Sequence, residues 1–212
     1  MNRGKYLLSS AYFPPTNYIS LIAAADEILL EKEENYVKQT YRNRCRIYAA
    51  NGPMTLSVPV LDGSFRKTLL KDIRIDYTKR WQQVHIRAIE SAYRSSPYFE
   101  YYFDEIKSVI SAGHELLIDL NLQSIRTALK ISGITTPVGY TEYFEKPSGE
   151  SYDFRYILSP KQPDSLSKFS FAYYLQVFTD RHGFVPGLSI LDLLFNSGPD
   201  SSDLLKKITP DH

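Results

Sequence analysis

The sequence predicts an α/β protein, in which an N-terminal βαβ unit and a β-hairpin form a small mixed sheet with helices packed on it. Short apolar runs at Lys5 to Tyr12 and at Glu27 to Glu31 indicate strands, and an Asn-Gly pair at 51–52 indicates a hairpin turn. From residue 81 onwards apolar residues recur at helical spacing, which predicts helices and a helical C-terminal part.

The first strand, helix and second strand follow one another closely enough to form a βαβ unit. Lys5 to Tyr12 is the predicted first strand, and Glu27 to Glu31 is the second. Between them, Tyr18 to Ala25 carries apolar residues at the i, i+3 and i+4 positions of a helix. Pro14 and Pro15 separate the strand from the helix, because proline lacks the N–H group that both structures need. This order of elements predicts parallel pairing of the two strands.

A β-hairpin is predicted next along the chain. Its strands are Arg44 to Ala50 and Pro53 to Val60, and Asn51-Gly52 forms a turn in which both residues need positive φ. Leu70 to Tyr77 is predicted as one more strand, because apolar and charged residues alternate from Ile73 onwards.

Apolar stripes predict the helices of the second half. The chain is predicted to be a single domain, with an α/β core at 1–145, a loop or lid at 146–168 and a helical C-terminal extension at 169–212. The loop is rich in Pro, Ser, Gly and charge. The predicted elements are helices at Trp81 to Tyr93, Phe99 to Gly113, Glu115 to Ser132, Phe171 to Arg181, Ile190 to Phe195 and Ser202 to Ile208, with a strand at Thr136 to Phe144.

The composition argues against several classes of protein. The 212 residues carry a formal net charge of +1, whereas nucleic-acid-binding proteins usually have a large basic excess. Cys45 is the only cysteine, no apolar stretch is long enough to span a membrane, and the N-terminal apolar run is too short for a signal peptide. A cytoplasmic location is therefore expected. The histidines lack metal-ligand spacing and no phosphate-binding loop motif occurs, so neither a metal nor a cofactor is predicted.

The loop from Tyr12 to Tyr18 is the first candidate for a ligand site. It is expected at the carboxyl end of the first strand and at the N-terminus of the first helix, where free N–H groups favour a phosphate or carboxylate. Tyr12 and Asn17 are its candidate substrate-binding residues. The loop has no glycine-rich cradle, and a rigid structural turn is the alternative explanation.

The polar segment at positions 34–44 is the second candidate. Its lysine and arginines are suited to hold an anionic group, since an arginine forms two parallel hydrogen bonds with a carboxylate or phosphate. Its amide side chains are suited to bind hydroxyl groups. A solvated connecting segment is the alternative explanation. The candidate substrate-binding residues here are Tyr36, Lys38, Arg42, Asn43 and Arg44.

The predicted helix at 81–93 contains the candidate catalytic residue, His85. It follows Trp81 by one helical turn, and an imidazole is suited to move a proton near neutral pH. Tyr93 and Tyr98 are further candidate substrate-binding residues. A histidine that is packed within an apolar stripe is the alternative explanation.

Four stretches of the sequence agree in order with one known family. They are Ala11 to Pro15 with Tyr18; Tyr36 to Arg46 with Asn51-Gly52 and Val58 to Val60; Trp81, His85, Ala92-Tyr93 and Pro97 to Phe99 with Tyr102; and His182 to Phe184 with Leu188 to Ile190 and Gly198-Pro199. With these stretches the chain resembles the WbqC-like protein family, although Ser10 and Ala11 stand where many members have Gln-Pro. The resemblance implies a bacterial enzyme of cell-surface polysaccharide or O-antigen biosynthesis, with transfer of an acyl or aminoacyl group onto a sugar as the implied reaction.

The residues and the resemblance give one leading hypothesis and two alternatives. In the leading hypothesis, Lys38, Arg42 and Arg44 hold the anionic part of a small-molecule donor, either an activated sugar or an activated acyl group, and His85 moves a proton. One alternative is a non-catalytic interaction or scaffold protein that docks a partner through the aromatic surface at 98–102. The other is an RNA-binding module, which the nearly neutral charge argues against.

Overall fold

A parallel three-stranded sheet organises the N-terminal part of the protein. The computed structural model describes residues 4–61, 67–144, 153–160 and 165–210. The sheet consists of β1 (Lys5–Ser9), β2 (Glu27–Glu31) and β5 (Val138–Tyr140), in the order β1-β2-β5. β1 and β2 pair in parallel, and helix α1 (Thr16–Ala24) crosses between them. The predicted βαβ unit is therefore confirmed.

The predicted hairpin is also present, as a two-stranded sheet of its own. Strands β3 (Arg44–Ala49) and β4 (Gly52–Ser57) pair antiparallel and are joined by Ala50 and Asn51. The turn thus lies one residue earlier than predicted, and only Gly52 has a positive φ, of 100°. Because Asn51 does not have a positive φ, the predicted turn type is wrong although the hairpin is confirmed.

Amphipathic helices cover the hairpin and the parallel sheet. The buried positions of the first long helix recur every three to four residues, as Trp81, His85, Ile89 and Tyr93 show. The α/β class and the helical C-terminal part are confirmed. The remaining elements are helices α2 (Trp81–Tyr93), α3 (Phe99–Ser111), α4 (Leu117–Ile131), α5 (Thr179–His182), α6 (Ile190–Ser197) and α7 (Ser201–Lys206), with the short strands β6 (Phe169–Ser170) and β7 (Thr209–Pro210).

The predicted strand from Leu70 to Tyr77 is wrong. Residues Leu70–Asp72 form a 3-10 helix, and Leu70 and Ile73 are both buried because residues three apart share one face of such a helix. Beyond them, Ile75 forms only an isolated antiparallel bridge with Val60. The alternation of apolar residues here reflects two short local structures that contact the same core.

The predicted helix from Phe171 to Arg181 is wrong as well, since only Thr179–His182 is helical. The side chain of Gln176 gives the reason. Its amide nitrogen donates to the Asp192 carboxylate over 2.9 Å and to the Val185 carbonyl over 3.0 Å, and its amide oxygen accepts from the Val185 N–H over 2.9 Å. These contacts with a distant segment fix a non-helical backbone and override local propensity.

Two clusters of buried apolar side chains stabilise these layers. One lies between the hairpin, α2 and α3 and includes Ile47, Ile89 and Phe99. The other lies between the parallel sheet, α1 and α6 and includes Leu8 and Ile22. Each fully buried side chain of this size contributes about 1.5–3 kcal/mol through removal from water. The first cluster therefore forms a rigid support for the residues that line the cavity between the hairpin and α2.

Two further predictions concern the chain at large. Among the described residues, no helix combines the length and the apolar character that crossing a membrane requires. Of the predicted loop or lid, residues 146–152 and 161–164 lie outside the described residues. Asp153 forms a parallel bridge with Leu7, so this part of the loop extends the sheet beside β1.

Candidate functional site

A cavity of about 580 Å³ opens between the hairpin and the first turns of α2. This hairpin pocket is lined by residues from three segments, at positions 36–44, 55–60 and 76–85. In β3, Cys45 and Ile47 are buried whereas Arg44 and Arg46 are partly exposed, as the two-residue period of a strand requires. That alternation turns Arg44 away from the core and into the pocket lining.

The charge of the hairpin pocket is positive. Lys38, Arg44, Lys79 and Arg80 line it, and Asp76 is the acidic residue in the lining. The Asp76 carboxylate accepts hydrogen bonds from the N–H and the hydroxyl of Thr78, over 2.9 and 2.6 Å, and these bonds lower the pKa of Asp76. Four cations therefore face one carboxylate that is already engaged, which favours an anionic ligand.

Three buried polar atoms of the lining residues have no hydrogen-bond partner within the described part of the chain. They are Nε of Arg44, Nε1 of Trp81 and Oδ1 of Asn43. The Asn43 amide is held in place by its other end, because Nδ2 donates to the Val58 carbonyl over 3.0 Å. A buried polar group without a partner costs roughly 1–3 kcal/mol, so these two donors and one acceptor are suited to a polar ligand.

His85 lies in the lining and is almost completely buried. Its Nε2 is 3.2 Å from the Ser57 carbonyl, and its Nδ1 is 3.0 Å from the Tyr12 hydroxyl. Because a carbonyl only accepts, Nε2 carries the proton and Nδ1 accepts from Tyr12. Burial lowers the pKa of His85 to about 4, so the ring is neutral at pH 7. His85 thus joins α2 to the hairpin and to the loop after β1.

Two residues next to these contacts have an unusual backbone conformation. Gln39, in the pocket lining, has a φ of 62°, and Phe13, which follows Tyr12, has a φ of 35°. Positive φ is costly for residues other than glycine, and such residues concentrate at functional sites. Phe13 is held by tertiary bonds, since its N–H donates to the Ser124 hydroxyl and its carbonyl accepts from the Ser189 hydroxyl.

The structure brings together six of the ten residues that the sequence nominates. Tyr36, Lys38, Asn43, Arg44 and His85 line the hairpin pocket, and Tyr12 reaches it through its hydrogen bond with His85. Their roles in binding or catalysis remain predictions.

Arg42 and Asn17 lie outside the pocket lining. The Arg42 guanidinium is buried and donates to both oxygens of Glu34, over 2.8 and 2.6 Å, and to the Ser9 hydroxyl over 2.8 Å. The contacts of Arg42 are thus with the protein itself, at the carboxyl end of β1. The Asn17 side chain is fully buried in α1, and its amide has no partner among the described residues.

Tyr93 and Tyr98 also lie outside the pocket lining. The Tyr93 hydroxyl is fully buried and accepts the N–H of Tyr48 over 2.9 Å. The Tyr98 ring packs against the end of α6, where a Cβ on Gly198 would come within 2.4 Å of it. Both tyrosines therefore have contacts that explain them as packing residues between helices.

Lys79, Arg80 and the indole nitrogen of Trp81 are lining groups that the sequence analysis did not select. A signal was present, because Thr78, Lys79 and Arg80 form a polar, basic run directly before α2. The tertiary contact that makes the run relevant is the proximity of the hairpin, which no local pattern predicts.

Comparison with known proteins gives one family and one relative. The family model of the WbqC-like protein family matches residues 9–162, which include all lining residues of the hairpin pocket. An uncharacterised protein of Mycobacterium tuberculosis, Rv1507c, is 29% identical over 229 residues, which cover 94% of this chain and 96% of that protein. No solved structure matches the chain.

Proposed function

The chain belongs to the WbqC-like protein family, and from this premise we propose that it is a cytoplasmic enzyme of cell-surface polysaccharide or O-antigen biosynthesis. In this proposal the hairpin pocket binds the anionic part of an activated sugar or acyl donor, and the reaction transfers an acyl or aminoacyl group onto a sugar. Lys38 and Arg44 hold the anion together with Lys79 and Arg80.

The observation that carries the proposal is the set of unsatisfied buried groups in the residues that line one cavity. Arg44 and Trp81 each have a buried N–H without a partner in the described part of the chain, beside three further cations. A phosphate or carboxylate accepts hydrogen bonds from several donors at once, and bonds to a charged group are roughly twice as strong as neutral ones. Such a ligand would satisfy both donors and offset the repulsion among the four cations.

Tyr36 and Asn43 are proposed to bind the hydroxyl groups of the ligand. The Asn43 Oδ1 has no partner among the described residues, while Nδ2 is fixed by the Val58 carbonyl. The free oxygen can therefore only accept, which suits a sugar hydroxyl or an amine. Tyr36 is partly buried in the lining and offers both a ring face and a hydroxyl.

The catalytic role of His85 stays a prediction, and its contacts favour a positioning role. Both ring nitrogens are bonded to the protein, and the pKa of about 4 leaves the ring a weak base at neutral pH. Proton transfer by His85 requires a ligand that replaces either the Tyr12 hydroxyl or the Ser57 carbonyl. Without that exchange, His85 serves the site by fixing the distance between α2 and the hairpin.

The test measures anion binding by the variant Arg44→Gln. Inorganic pyrophosphate and glucose 1-phosphate serve as probes in isothermal titration calorimetry. Loss of one charge-assisted hydrogen-bonding group costs about 1.5–3 kcal/mol, so we expect binding to weaken about 10- to 100-fold. The melting temperature should change little, because Arg44 is partly exposed.

The matched control is Arg94→Gln. Arg94 directly follows α2, its side chain is 74% exposed, and it does not line the hairpin pocket. This variant should bind the probes as the unmodified protein does. Equal weakening in both variants, or an Arg44→Gln protein that binds normally, would contradict the proposed site.

The alternative proposal is a non-catalytic interaction protein that uses the aromatic surface at 98–102. Tyr101 favours it, since 77% of this residue is exposed. Tyr98 and Tyr102 contribute less, because their rings stack on each other with centroids 6.3 Å apart and are partly buried. Recovery of one stoichiometric partner by the unmodified protein, and its loss in Tyr101→Ser, would support this alternative.

A further inference from the structure

We propose that the hairpin pocket takes an amphiphilic ligand, whose phosphate-type head lies beside Arg44 and whose hydrocarbon chain lies along an apolar wall at the pocket mouth. This inference rests on the proposed function, because it names the class of molecule to which the anionic donor belongs. The wall is formed by Val60, Tyr77, Trp81 and Val84; Val60, Trp81 and Val84 line the pocket directly, and the Tyr77 ring lies beside Trp81.

The wall is continuous because two extended segments pair beside α2. Leu61 donates its N–H to the Arg74 carbonyl over 2.9 Å, and Asp76 donates to the Pro59 carbonyl over 2.9 Å. Tyr77 follows this pairing, and its ring centroid lies 6.1 Å from that of Trp81. The Tyr77 hydroxyl donates to the His114 carbonyl over 2.8 Å, which fixes the ring. The wall is therefore preformed.

The wall also exposes apolar surface that the fold does not need to expose. Val84 is 60% exposed although it lies on α2 between the buried Trp81 and His85, and Tyr77 is 42% exposed. Single exposed apolar residues are common, but a contiguous group at the mouth of a cavity is typical of a binding site. Burial of this surface by a ligand would be favourable.

The chemistry of the wall selects a hydrocarbon chain over a nucleobase. A base is bound by stacking on an open aromatic face. Trp81 is only 4% exposed, and the Tyr77 ring, although 42% exposed, lies against Trp81 and is held by its hydroxyl to the His114 carbonyl. The most exposed residue of the wall is the aliphatic Val84, and the partly exposed Val60 is aliphatic as well, so the wall suits a flexible chain. The cations lie at the same opening, so one molecule with a charged head and an apolar tail satisfies both surfaces.

The experiment compares alkyl phosphates of increasing chain length, from methyl to butyl and hexyl phosphate, below their micellar concentrations. For the unmodified protein we expect affinity to rise with each methylene, by up to about fourfold where the methylene is fully buried. Val84→Ser should bind methyl phosphate normally and hexyl phosphate about three- to fivefold more weakly. Leu175→Ser is the matched control, because Leu175 is 70% exposed but lies outside the pocket lining.

The outcomes separate this inference from the proposed function. If methyl phosphate and pyrophosphate bind but the alkyl chain adds no affinity, the inference is overturned and the anion site stands. If no phosphate binds, the proposed function itself is overturned.

A final arm identifies the source of the amphiphile, using phosphatidylcholine vesicles with and without phosphatidic acid. Chain-length-dependent binding together with co-sedimentation that requires phosphatidic acid and is reduced by Val84→Ser supports a lipid phosphate in a bilayer. The same chain-length dependence without co-sedimentation supports a soluble carrier with a phosphate and an acyl chain.

Discussion

Two polar regions of this protein contain arginines that are two residues apart in sequence, and they use them in opposite ways. Arg42 belongs to a buried group of charged residues at the carboxyl end of the parallel sheet, the sheet-edge charge cluster. Its other members are Glu31, Glu34, Asp153 and Arg155. Arg44 lines the hairpin pocket, and its Nε has no partner among the described residues. The first region is closed by its own contacts, whereas the second has unsatisfied buried groups in residues that line a cavity.

The sheet-edge charge cluster occupies the place where ligands bind in many open α/β sheets. Arg155 lies 2.8 Å from Glu31 and 2.6 Å from Asp153, and Arg42 lies 2.6 Å from Glu34. The side chains of Arg155 and Glu31 have no exposed surface. The chain's own guanidinium groups therefore fill the position that a cationic or hydrogen-bonding ligand would take, and the proposed binding surface is at the hairpin instead.

The largest expected effect is a loss of stability in Arg42→Met. This substitution leaves the buried Glu34 carboxylate without its cation, and breaking a buried ion pair from one side costs about 3–5 kcal/mol. The free energy of unfolding, measured by urea denaturation, should fall by that amount. Arg44→Met is the matched control and should cost less than about 1 kcal/mol, since partly exposed positions tolerate substitution.

A double variant sharpens this comparison. Glu34→Gln combined with Arg42→Met removes both buried charges, so most of the loss seen in Arg42→Met should be recovered. If the double variant loses as much free energy of unfolding as the two single variants together, Arg42 stabilises the fold through packing alone. Its contrast with Arg44 then does not rest on charge.

The second prediction concerns the hairpin pocket and is the pH dependence of stability that His85 causes. Its pKa is about 4 in the folded protein and about 6.5 in an unfolded chain, so between these pH values only the unfolded chain binds the proton. The free energy of unfolding should therefore decrease as the pH falls from about 6.5 to 4, by roughly 2–3 kcal/mol from this residue. The difference between the unmodified protein and His85→Gln, measured at each pH, isolates this contribution. A flat difference would mean that His85 is not buried in neutral form.

The contribution of Asp192 to the free energy of unfolding should have the opposite pH dependence, over nearly the same pH range. Burial raises its pKa to about 6, although the Tyr174 hydroxyl and the Gln176 amide donate to its carboxylate. Between about pH 4 and 6 the folded protein then binds a proton that the unfolded chain lacks, so the stability contribution is lost as the pH rises. Asp192→Asn should remove this loss, of about 2–3 kcal/mol, in urea denaturation at pH 4 and pH 7. Equal effects at both pH values would contradict the raised pKa.

The contrast between the two arginines also shows what the sequence could predict. The strands of the βαβ unit, the hairpin and the three long helices follow from local periodicity, and so does the outward direction of Arg44, which alternates with the buried Cys45 and Ile47. The role of Arg42 does not follow, because it depends on Glu34 and Ser9 being folded back onto it. The sequence pattern of a polar, basic segment is the same whether its cations form ion pairs with buried carboxylates or line a cavity.

The helix prediction for the segment around Gln176 was wrong for the same physical reason. Its composition is compatible with a helix, but contacts with Val185 and Asp192, nine and sixteen residues further along the chain, determine its backbone. The pocket residues Lys79 and Arg80 were missed because only the packing of α2 against the hairpin places them beside Arg44. Contacts of this kind determine which polar residues remain unpaired, and the proposed site is built around Arg44, Asn43 and Trp81, which have such unpaired groups.

The smallest expected effect is a difference in sensitivity to salt between the two regions. Lys38, Lys79 and Arg80 are exposed, so their attraction for an anion should be screened as the ionic strength increases. The sheet-edge charge cluster is buried, and its ion pairs are screened much less. Pyrophosphate binding should therefore weaken several-fold between 50 mM and 500 mM of a weakly binding salt such as sodium chloride. The reason is that the Debye length falls from roughly 14 to 4 Å over this range. Over the same range the stability difference between the unmodified protein and Arg42→Met should stay constant. If that difference shrinks in parallel with pyrophosphate binding, water and ions reach Arg42 as readily as Arg44, and the two regions do not differ in the way that their contacts indicate.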